Sequence, residues 1–157
     1  MKKTALVLLA ICVTVSTISA APERPVSIPD RSKGAETIVV ATVIEVTSAF
    51  GTNEFADRLI VSHTLLQVEE TLKGTAPQIL PFEVEGGTVG DLTLRVSDME
   101  PIASGDRAVF FMIRNRTGAN VPHLRHNGIV PLDRANRVRG SNLTLDEVER
   151  QVQQGLK

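Results

Sequence analysis

Most of the chain consists of short runs of β-branched and apolar residues, separated by turns that carry glycine or proline. Residues 36–48 and 107–113 are apolar on both alternations, which is typical of strands buried on both faces. Residues 58–74 and 81–85 alternate instead, and the alternation of 58–74 shifts near Ser62–Thr64, where we expect a bend or a bulge. No helical period separates these runs. The pattern predicts a mainly β fold, an antiparallel barrel or sandwich.

The pattern changes near the C-terminus. Glu147 follows Thr144 by three residues, the spacing of a capping box, in which each side chain accepts a hydrogen bond from the other residue's backbone N–H. We therefore predict a short C-terminal helix over residues 145–154 that ends at Gly155 and packs on the sheet. Its apolar stripe would consist of Leu145, Val148 and Val152.

The first twenty residues have the order of a secretory signal peptide. Lys2 and Lys3 precede an apolar run over residues 5–15, and small residues follow it up to Ala20. The run is shorter than the roughly twenty residues that a permanent membrane helix needs. For residues 1–20 we therefore predict a signal peptide cleaved near Ala20, a secreted or periplasmic mature chain, and no membrane span within that chain.

Cys12 is the single cysteine and lies within this leader, so the mature chain has none. This excludes disulfides, thiolate metal ligands and a cysteine nucleophile, and the apolar core has to stabilise the domain. The alternative is a lipoprotein anchored through Cys12, although Ile11 is bulky at a position where lipidation sites carry a small residue.

Residues 21–34 carry three prolines, a glycine and mixed charge, which predicts a flexible lead-in. Residues 35–157 would form a single β-barrel domain, long enough to bury a core. Lys2 and Lys3 leave with the leader, so 15 of the 17 basic residues remain beside 18 acidic ones, a net charge of −3. An acidic chain without Trp or Tyr lacks the basic groove and the stacking aromatics that bind single strands, so no nucleic-acid partner is expected.

Residues 86–94, GGTVGDLTL, hold three glycines in five positions. A phosphate-binding loop needs a strand before the glycines and a helix after them, because the helix N-terminus supplies N–H donors. Here a strand-like segment follows, without a Gly-Lys-Ser/Thr step or GxGxxG spacing. We predict that the glycines form a tight turn or bulge.

Three ordered pieces, VEETLKG at 68–74, EGGTVGDLTLRVSDMEPIASGDRAVFFM at 85–112 and LTLDEVERQV at 143–152, resemble a group of uncharacterised secreted bacterial proteins. The resemblance covers roughly residues 35–154. It implies a small antiparallel β-barrel similar to the oligonucleotide/oligosaccharide-binding (OB) fold, and no established activity. More remotely, the strand order is similar to the netrin-like module of tissue inhibitors of metalloproteinases. Those inhibitors reach a protease zinc through an N-terminal cysteine, which this chain lacks, so only the fold would carry over.

His123 and His126 stand three residues apart, and His63 is the one other histidine. On a helix this spacing would place both on one face, where they could share a metal. Pro122 and Gly128 around them favour a loop, and no third ligand is indicated. We therefore predict no metal site and no bound cofactor.

The acidic and hydroxyl residues form no catalytic pattern either. Glu83 and Glu85 alternate with apolar residues, as on a solvated strand face, whereas a catalytic carboxylate pair needs environments that separate the two pKa values. Ser104-Gly105-Asp106 lacks the GxSxG arrangement and is typical of a turn. The sequence thus indicates no catalytic residue.

Two functions remain. The first is a non-catalytic binding or interaction module, secreted or periplasmic, that presents a sheet edge, loops or its terminal helix to another protein of the cell envelope or exterior. The second is a hydrolase or metal-dependent enzyme that uses His63, His123 or His126. A cavity lined by two of these histidines and a carboxylate would favour the second.

Overall fold

Two strands of 16 residues each lie side by side at the centre of the fold. The computed structural model describes residues 26–53, 57–97 and 99–157. The prediction of a mainly β chain with a C-terminal helix is confirmed. The strands are β1 (Thr37–Thr52), β2 (Arg58–Lys73), β3 (Ile79–Glu85), β4 (Gly87–Val89), β5 (Leu92–Leu94), β6 (Arg107–Arg114), β7 (Asn120–Pro122) and β8 (Ile129–Leu132). The helices are α1 (Ile28–Gly34) and α2 (Leu145–Gly155), and a 3-10 turn spans Arg125–Gly128.

Six of these strands form one antiparallel sheet in the order β3-β2-β1-β6-β7. β8 pairs with the start of β6, beyond the part of that strand that pairs with β7. β4 and β5 form a separate hairpin. The edge of β6 opposite β1 is therefore shared between two short strands.

The sheet has an apolar core on each face, which explains why β1 and β6 are apolar on both alternations. The inner core contains Phe82 of β3 and Phe110 of β6, whose rings meet edge to face with centroids 5.3 Å apart. The outer core contains Phe111 of β6 and lies under α1 and α2. Val148 and Val152 of α2 are fully buried in it. Burial on both faces stabilises the central strands without a disulfide.

The end strands β3 and β7 come together without closing a barrel. The Asn120 side chain of β7 donates a hydrogen bond of 2.9 Å to the carbonyl of Pro81 on β3. No backbone ladder joins these two strands in the described part of the chain. The closed OB-like barrel that the sequence led us to expect is not found, because strand pairing leaves this seam open.

The bulges are not where the sequence suggested. Residues 62–64 of β2 pair in regular register with residues 46–48 of β1. Register shifts instead fall between Ile38 and Val39, between Val40 and Ala41, and between Val43 and Glu45. The apolar–polar alternation of β2 is interrupted in the sequence because two polar residues, Ser62 and Thr64, occupy buried positions. Their hydroxyl groups donate hydrogen bonds to the carbonyls of Gly86 and Phe82.

The prediction of a flexible lead-in over residues 21–34 is wrong for α1. Ser27 caps this helix, because its side chain accepts a hydrogen bond of 3.3 Å from the N–H of Asp30. Pro29 lies in the first turn, where its missing N–H leaves no helix hydrogen bond unmade, so it begins the helix and does not break it. Residues 21–25 and the predicted signal peptide lie outside the described residues.

Contacts from distant parts of the chain hold α1 in place. The ammonium of Lys73, at the end of β2, donates hydrogen bonds to the carbonyls of Ser32 and Ala35 at 2.8 and 2.5 Å. Carbonyls at this end of a helix have no intrahelical partner and carry its negative dipole. Arg31 Nη1 donates a 3.0 Å hydrogen bond to the carbonyl of Asn127. These bonds stabilise a helix that would be marginal by itself.

The C-terminal helix begins as predicted. The carboxylate of Glu147 accepts a hydrogen bond of 2.8 Å from the N–H of Thr144, and the Thr144 hydroxyl accepts one of 3.4 Å in return. The helix runs to Gly155, and its predicted apolar stripe is buried. No helix within residues 26–53, 57–97 and 99–157 is both long and apolar enough to span a membrane.

Candidate binding site

The three histidines lie in separate surroundings. His63 extends from the exposed face of β2, and its Nδ1 lies 3.1 Å from the carboxylate of Glu83. His123 follows β7 and packs against Gly34 of α1, where an added Cβ would overlap the imidazole ring. His126 lies in the 3-10 turn and lines a groove. None of the cavities described below contains two histidines.

His123 has a structural environment. Burial, and in second place the nearby Lys73 ammonium, lower the pKa of His123. A charged ring would lie beside the Lys73 cation and lose hydration, so the neutral imidazole is favoured. We assign His123 to the support of α1.

The acidic residues of β3 occupy the outer face that their alternation predicted. Phe82 and Val84 are buried, whereas Glu83 and Glu85 remain partly exposed. Glu85 Oε1 accepts a hydrogen bond of 3.0 Å from the Asn53 amide. Among the described residues, no three or more His, Cys, Asp or Glu side chains are grouped so that they could hold a metal ion.

The glycine-rich segment forms the β4–β5 hairpin. Gly90 lies in its turn with φ 57°, and a strand follows where a phosphate loop would have a helix. Gly87 has φ 131° and lies against Ser48 and Ser62, so that a Cβ would overlap both hydroxyl oxygens. The Ser62 hydroxyl donates a hydrogen bond of 2.7 Å to the Gly86 carbonyl. The prediction that these glycines shape a turn is confirmed.

A groove of about 520 Å³ opens beside the inner core. Its volume falls within the roughly 300–1,000 Å³ of typical ligand pockets. The floor is apolar and comes from three strands of the sheet, with Val43 from β1, Ala108 and Phe110 from β6, and Ile129 and Pro131 from β8. β6 pairs with both β1 and β8, so the floor belongs to one continuous sheet.

Other residues that line the groove belong to the segment that precedes β6. Met99 and Ile102 of this segment line the groove and pack against the inner core. Polar and charged side chains line the groove beside the apolar floor, namely Ser97, Glu100, Asp106, Arg107, His126 and Arg139. An apolar floor with a few polar groups around it is the usual composition of a binding pocket.

A polar depression adjoins the groove, and we call it the arginine basin. It is lined by Arg107, Arg134 and Arg139 together with Glu69, Asp133 and Asn136. Arg107 and Arg139 also line the groove, so the two cavities meet at these two side chains. An elongated ligand could therefore lie on the apolar floor and end among guanidinium groups.

Arg107 is fixed by its neighbours in the basin. Its Nε and Nη2 each lie 2.8 Å from Oε2 of Glu69, and its Nη1 donates to Asn136 Oδ1 at 2.5 Å. The hydrogen bond from Arg107 is the main reason that the pKa of Glu69 is lowered, and a further hydrogen bond comes from Thr42. This ion pair orients Arg107 and leaves it little capacity for a ligand.

Arg139 and Arg134 are less constrained. Arg139 donates from Nη2 to Asp106 at 3.1 Å and from Nε to the carbonyl of Leu132 at 3.2 Å. Its Nη1 has no hydrogen-bond partner among the described residues. Arg134 is exposed and has no hydrogen-bond or ion-pair partner among the described residues.

A smaller cleft of about 150 Å³ lies at the seam between β3 and β7. Val84 and Glu85 line it on one side, and Val121 with Arg125 on the other. Its volume is below that of typical ligand pockets, so the groove is the stronger candidate site.

The sequence did not indicate the groove or the basin. In the sequence, Glu69 belongs to the strand-like segment VEETLKG and Asp106 to a turn-like Ser-Gly-Asp step, and neither pattern indicates a basic site. One feature of the sequence does indicate a basic site. Three arginines lie at positions 134, 137 and 139, shortly after the strand that ends at Leu132. These arginines do not indicate that Glu69 and Arg107 also line the basin, because only the pairing of the strands places those two residues beside them.

No protein-family model matches the chain, and no curated protein matches it. The groove and the arginine basin therefore have to be interpreted from their own chemistry.

Proposed function

We propose that this protein is a non-catalytic binding module that holds another protein of the cell envelope or exterior in the groove. The observation that carries the proposal is the apolar groove of about 520 Å³ with charged side chains at one end. The histidine that lines it, His126, is accompanied there by Glu100 and Asp106, of which Asp106 is engaged with Arg139. Such a site suits recognition better than proton transfer.

We also propose that the fold is related to small OB-like barrels, and more remotely to the netrin-like module. The support is the antiparallel order of the strands and the hydrogen bond from Asn120 to Pro81 between the two end strands. In the described part of the chain no backbone ladder joins these strands, and the cleft of about 150 Å³ lies in the space at their seam.

The proposed place of action is the periplasm or the exterior. The charge and apolar order of residues 1–20 supports removal of a signal peptide near Ala20. α1 begins at Ile28, so the cut would leave the first described helix intact. A lipid anchor at Cys12 is the alternative, and mass spectrometry of the mature N-terminus distinguishes the two outcomes.

Site-directed photocrosslinking in the cell that secretes the protein tests the binding role. A photoreactive amino acid replaces Glu100 at the groove, and a second protein carries it at Gln153, on the exposed side of α2, as the matched control. We expect a discrete protein adduct from position 100 and none from position 153. Equal adducts from both positions would contradict the proposal.

The enzyme hypothesis has a separate test. A substrate screen on the purified protein that detects turnover, with that turnover abolished in His126→Ala and retained in His63→Ala, would replace the binding role by catalysis. We expect no such pair of results.

A further inference from the structure

We infer that the groove and the arginine basin together bind the C-terminal end of a partner polypeptide, with apolar side chains on the floor and the terminal carboxylate at Arg134 and Arg139. This inference rests on the proposed binding function and adds the site and the class of ligand. Its basis is that the two cavities share Arg107 and Arg139, so that the apolar surface leads directly to the cationic one.

The floor provides the affinity for apolar side chains. Phe110 and Ala108 belong to the inner core, and Ile129 packs against it. Burial of apolar ligand surface on such a floor is favourable by about 25 cal/mol per Å². The floor contains no aromatic stacking platform other than the Phe110 ring, which is itself almost fully buried. An aliphatic ligand therefore fits the groove better than a sugar or a nucleobase.

One arginine of the basin is left to attract an anion. Arg107 is paired with Glu69, and Arg139 is paired with Asp106, so these two arginines bring no surplus charge. Asp133 accepts hydrogen bonds from the backbone N–H groups of Ala135 and Arg137 at 2.8 and 2.9 Å. Arg134 is exposed and has no ion-pair partner among the described residues, so it is the cation that an anion would meet.

A carboxylate is the anion that these donors suit. Arg139 is held by Asp106 and by the Leu132 carbonyl, so its free Nη1 has a fixed direction. We place the carboxylate at Nη1 of Arg139 and the Arg134 side chain, because both arginines line the basin and guanidinium groups donate charge-assisted hydrogen bonds to carboxylates. Arg107 is already bonded to Glu69 and has no direct part in the proposed binding.

The lining of the groove favours a polypeptide over a plain fatty acid. Ser97 and Glu100 line the groove beside its apolar floor. These side chains can exchange hydrogen bonds with the backbone N–H and C=O groups of a bound peptide. An alkyl chain has no such groups, so the same side chains would add nothing to its binding.

The test uses the purified chain and three probes, namely acetyl-Ala-Leu-Leu with a free C-terminus, the same peptide as its C-terminal amide, and decanoate. Binding is followed by isothermal titration and by NMR shifts at probe concentrations of about 1 mM. We expect the free acid to bind about tenfold more tightly than the amide, because one charge-assisted interaction is lost. Amide signals of Ala108 and Ile129 should shift with the acid.

Arg134→Gln is the main variant, because Arg134 has no described contact whose loss could affect folding. It should reduce the affinity of the free acid about tenfold and leave that of the amide unchanged. Arg139→Gln should do the same, and its circular dichroism and melting curve show whether the fold is retained. Arg150→Gln on the exposed side of α2 is the matched control and should change neither affinity.

Equal affinity of acid and amide, or an unchanged affinity in both basin variants, would overturn the inference. Tight binding of decanoate with no binding of either peptide would also overturn it and would identify a small amphiphile as the ligand. If crosslinking at position 100 still captures a protein in either case, the binding function stands and only the assignment of the ligand fails. If the crosslink is absent as well, both fail.

Discussion

Gly155 in the last turn of α2 lies directly against Pro29 in the first turn of α1, so closely that an added Cβ would overlap the Pro29 carbonyl oxygen. The same Cβ would come within 2.9 Å of the Ser32 Cβ. The glycine therefore sets the distance between the two helices that cover the outer core. The sequence indicated only that a helix would end there.

Gly155→Ala should destabilise the protein by about 1–3 kcal/mol, because the added methyl group forces α1 away from α2. The steric overlap of the added methyl group therefore has to cost more than the roughly 1 kcal/mol by which Ala is favoured over Gly inside a helix. Urea unfolding measures the difference. Gln154→Ala, one residue earlier and exposed, is the control and should change stability by no more than about 0.5 kcal/mol. A stabilised Gly155→Ala protein would show that the two helices do not pack this closely.

Lys73→Met should loosen α1. The Lys73 ammonium bonds the carbonyls of Ser32, Lys33 and Ala35, and loss of these charge-assisted bonds should cost about 1–3 kcal/mol. Hydrogen exchange of the α1 amides should become faster by a larger factor than that of the β1 amides, because α1 would open locally. Lys33→Met removes a lysine whose partner is the exposed Asp30 and serves as the control. Equal exchange of α1 in both variants would contradict the role of Lys73.

The sheet and the C-terminal helix could be predicted because their signals are local. The central strands are apolar on both alternations, and residues within a single turn form the capping box at Thr144 and Glu147. The helix α1 could not be predicted, because Pro29 and Gly34 suggest a break and its stability depends on Lys73, far away in the chain. The bulges were misplaced because a buried Ser62 looks polar in the sequence and yet bonds within the core.

The candidate site could not be predicted from the sequence either, because its residues come from distant segments of the chain. Its two shared residues, Arg107 and Arg139, lie on different segments, and Arg107 pairs with Glu69 on a third. No spacing rule connects such positions. By contrast, His123 and His126 lie three residues apart, a spacing at which two histidines can share a metal on a helix. In the structure His123 supports α1 and His126 lines the groove.

The stability of the protein should depend on the protonation of His123. Since burial and Lys73 lower the pKa of His123 in the folded protein, the unfolded chain binds its proton more readily. The stabilisation that neutral His123 contributes is complete above the pKa of an unfolded histidine, about 6.5. It decreases as the pH falls from there towards the lowered pKa of His123 in the folded protein. His123→Gln should flatten the decrease over this window. Chemical denaturation at several pH values measures it, and an NMR titration with a folded pKa at or above 6.5 would contradict the prediction.

The hairpin of β4 and β5 offers a test of what its glycines do. Gly87→Ala places a methyl group against the Ser48 and Ser62 hydroxyls at a φ of 131°, which side chains rarely adopt, so it should cost about 1–3 kcal/mol. Gly90→Ala is the control, because its Cβ meets nothing within 4 Å and its φ of 57° is the ordinary left-handed conformation, at a cost of about 1 kcal/mol. Thermal and urea unfolding should therefore rank Gly87→Ala as the more damaging change.

A phosphate-binding role of the same hairpin would appear as stabilisation of the protein by added phosphate, and Gly87→Ala would abolish that stabilisation. We expect phosphate to leave both melting temperatures unchanged, since no helix N-terminus follows these glycines.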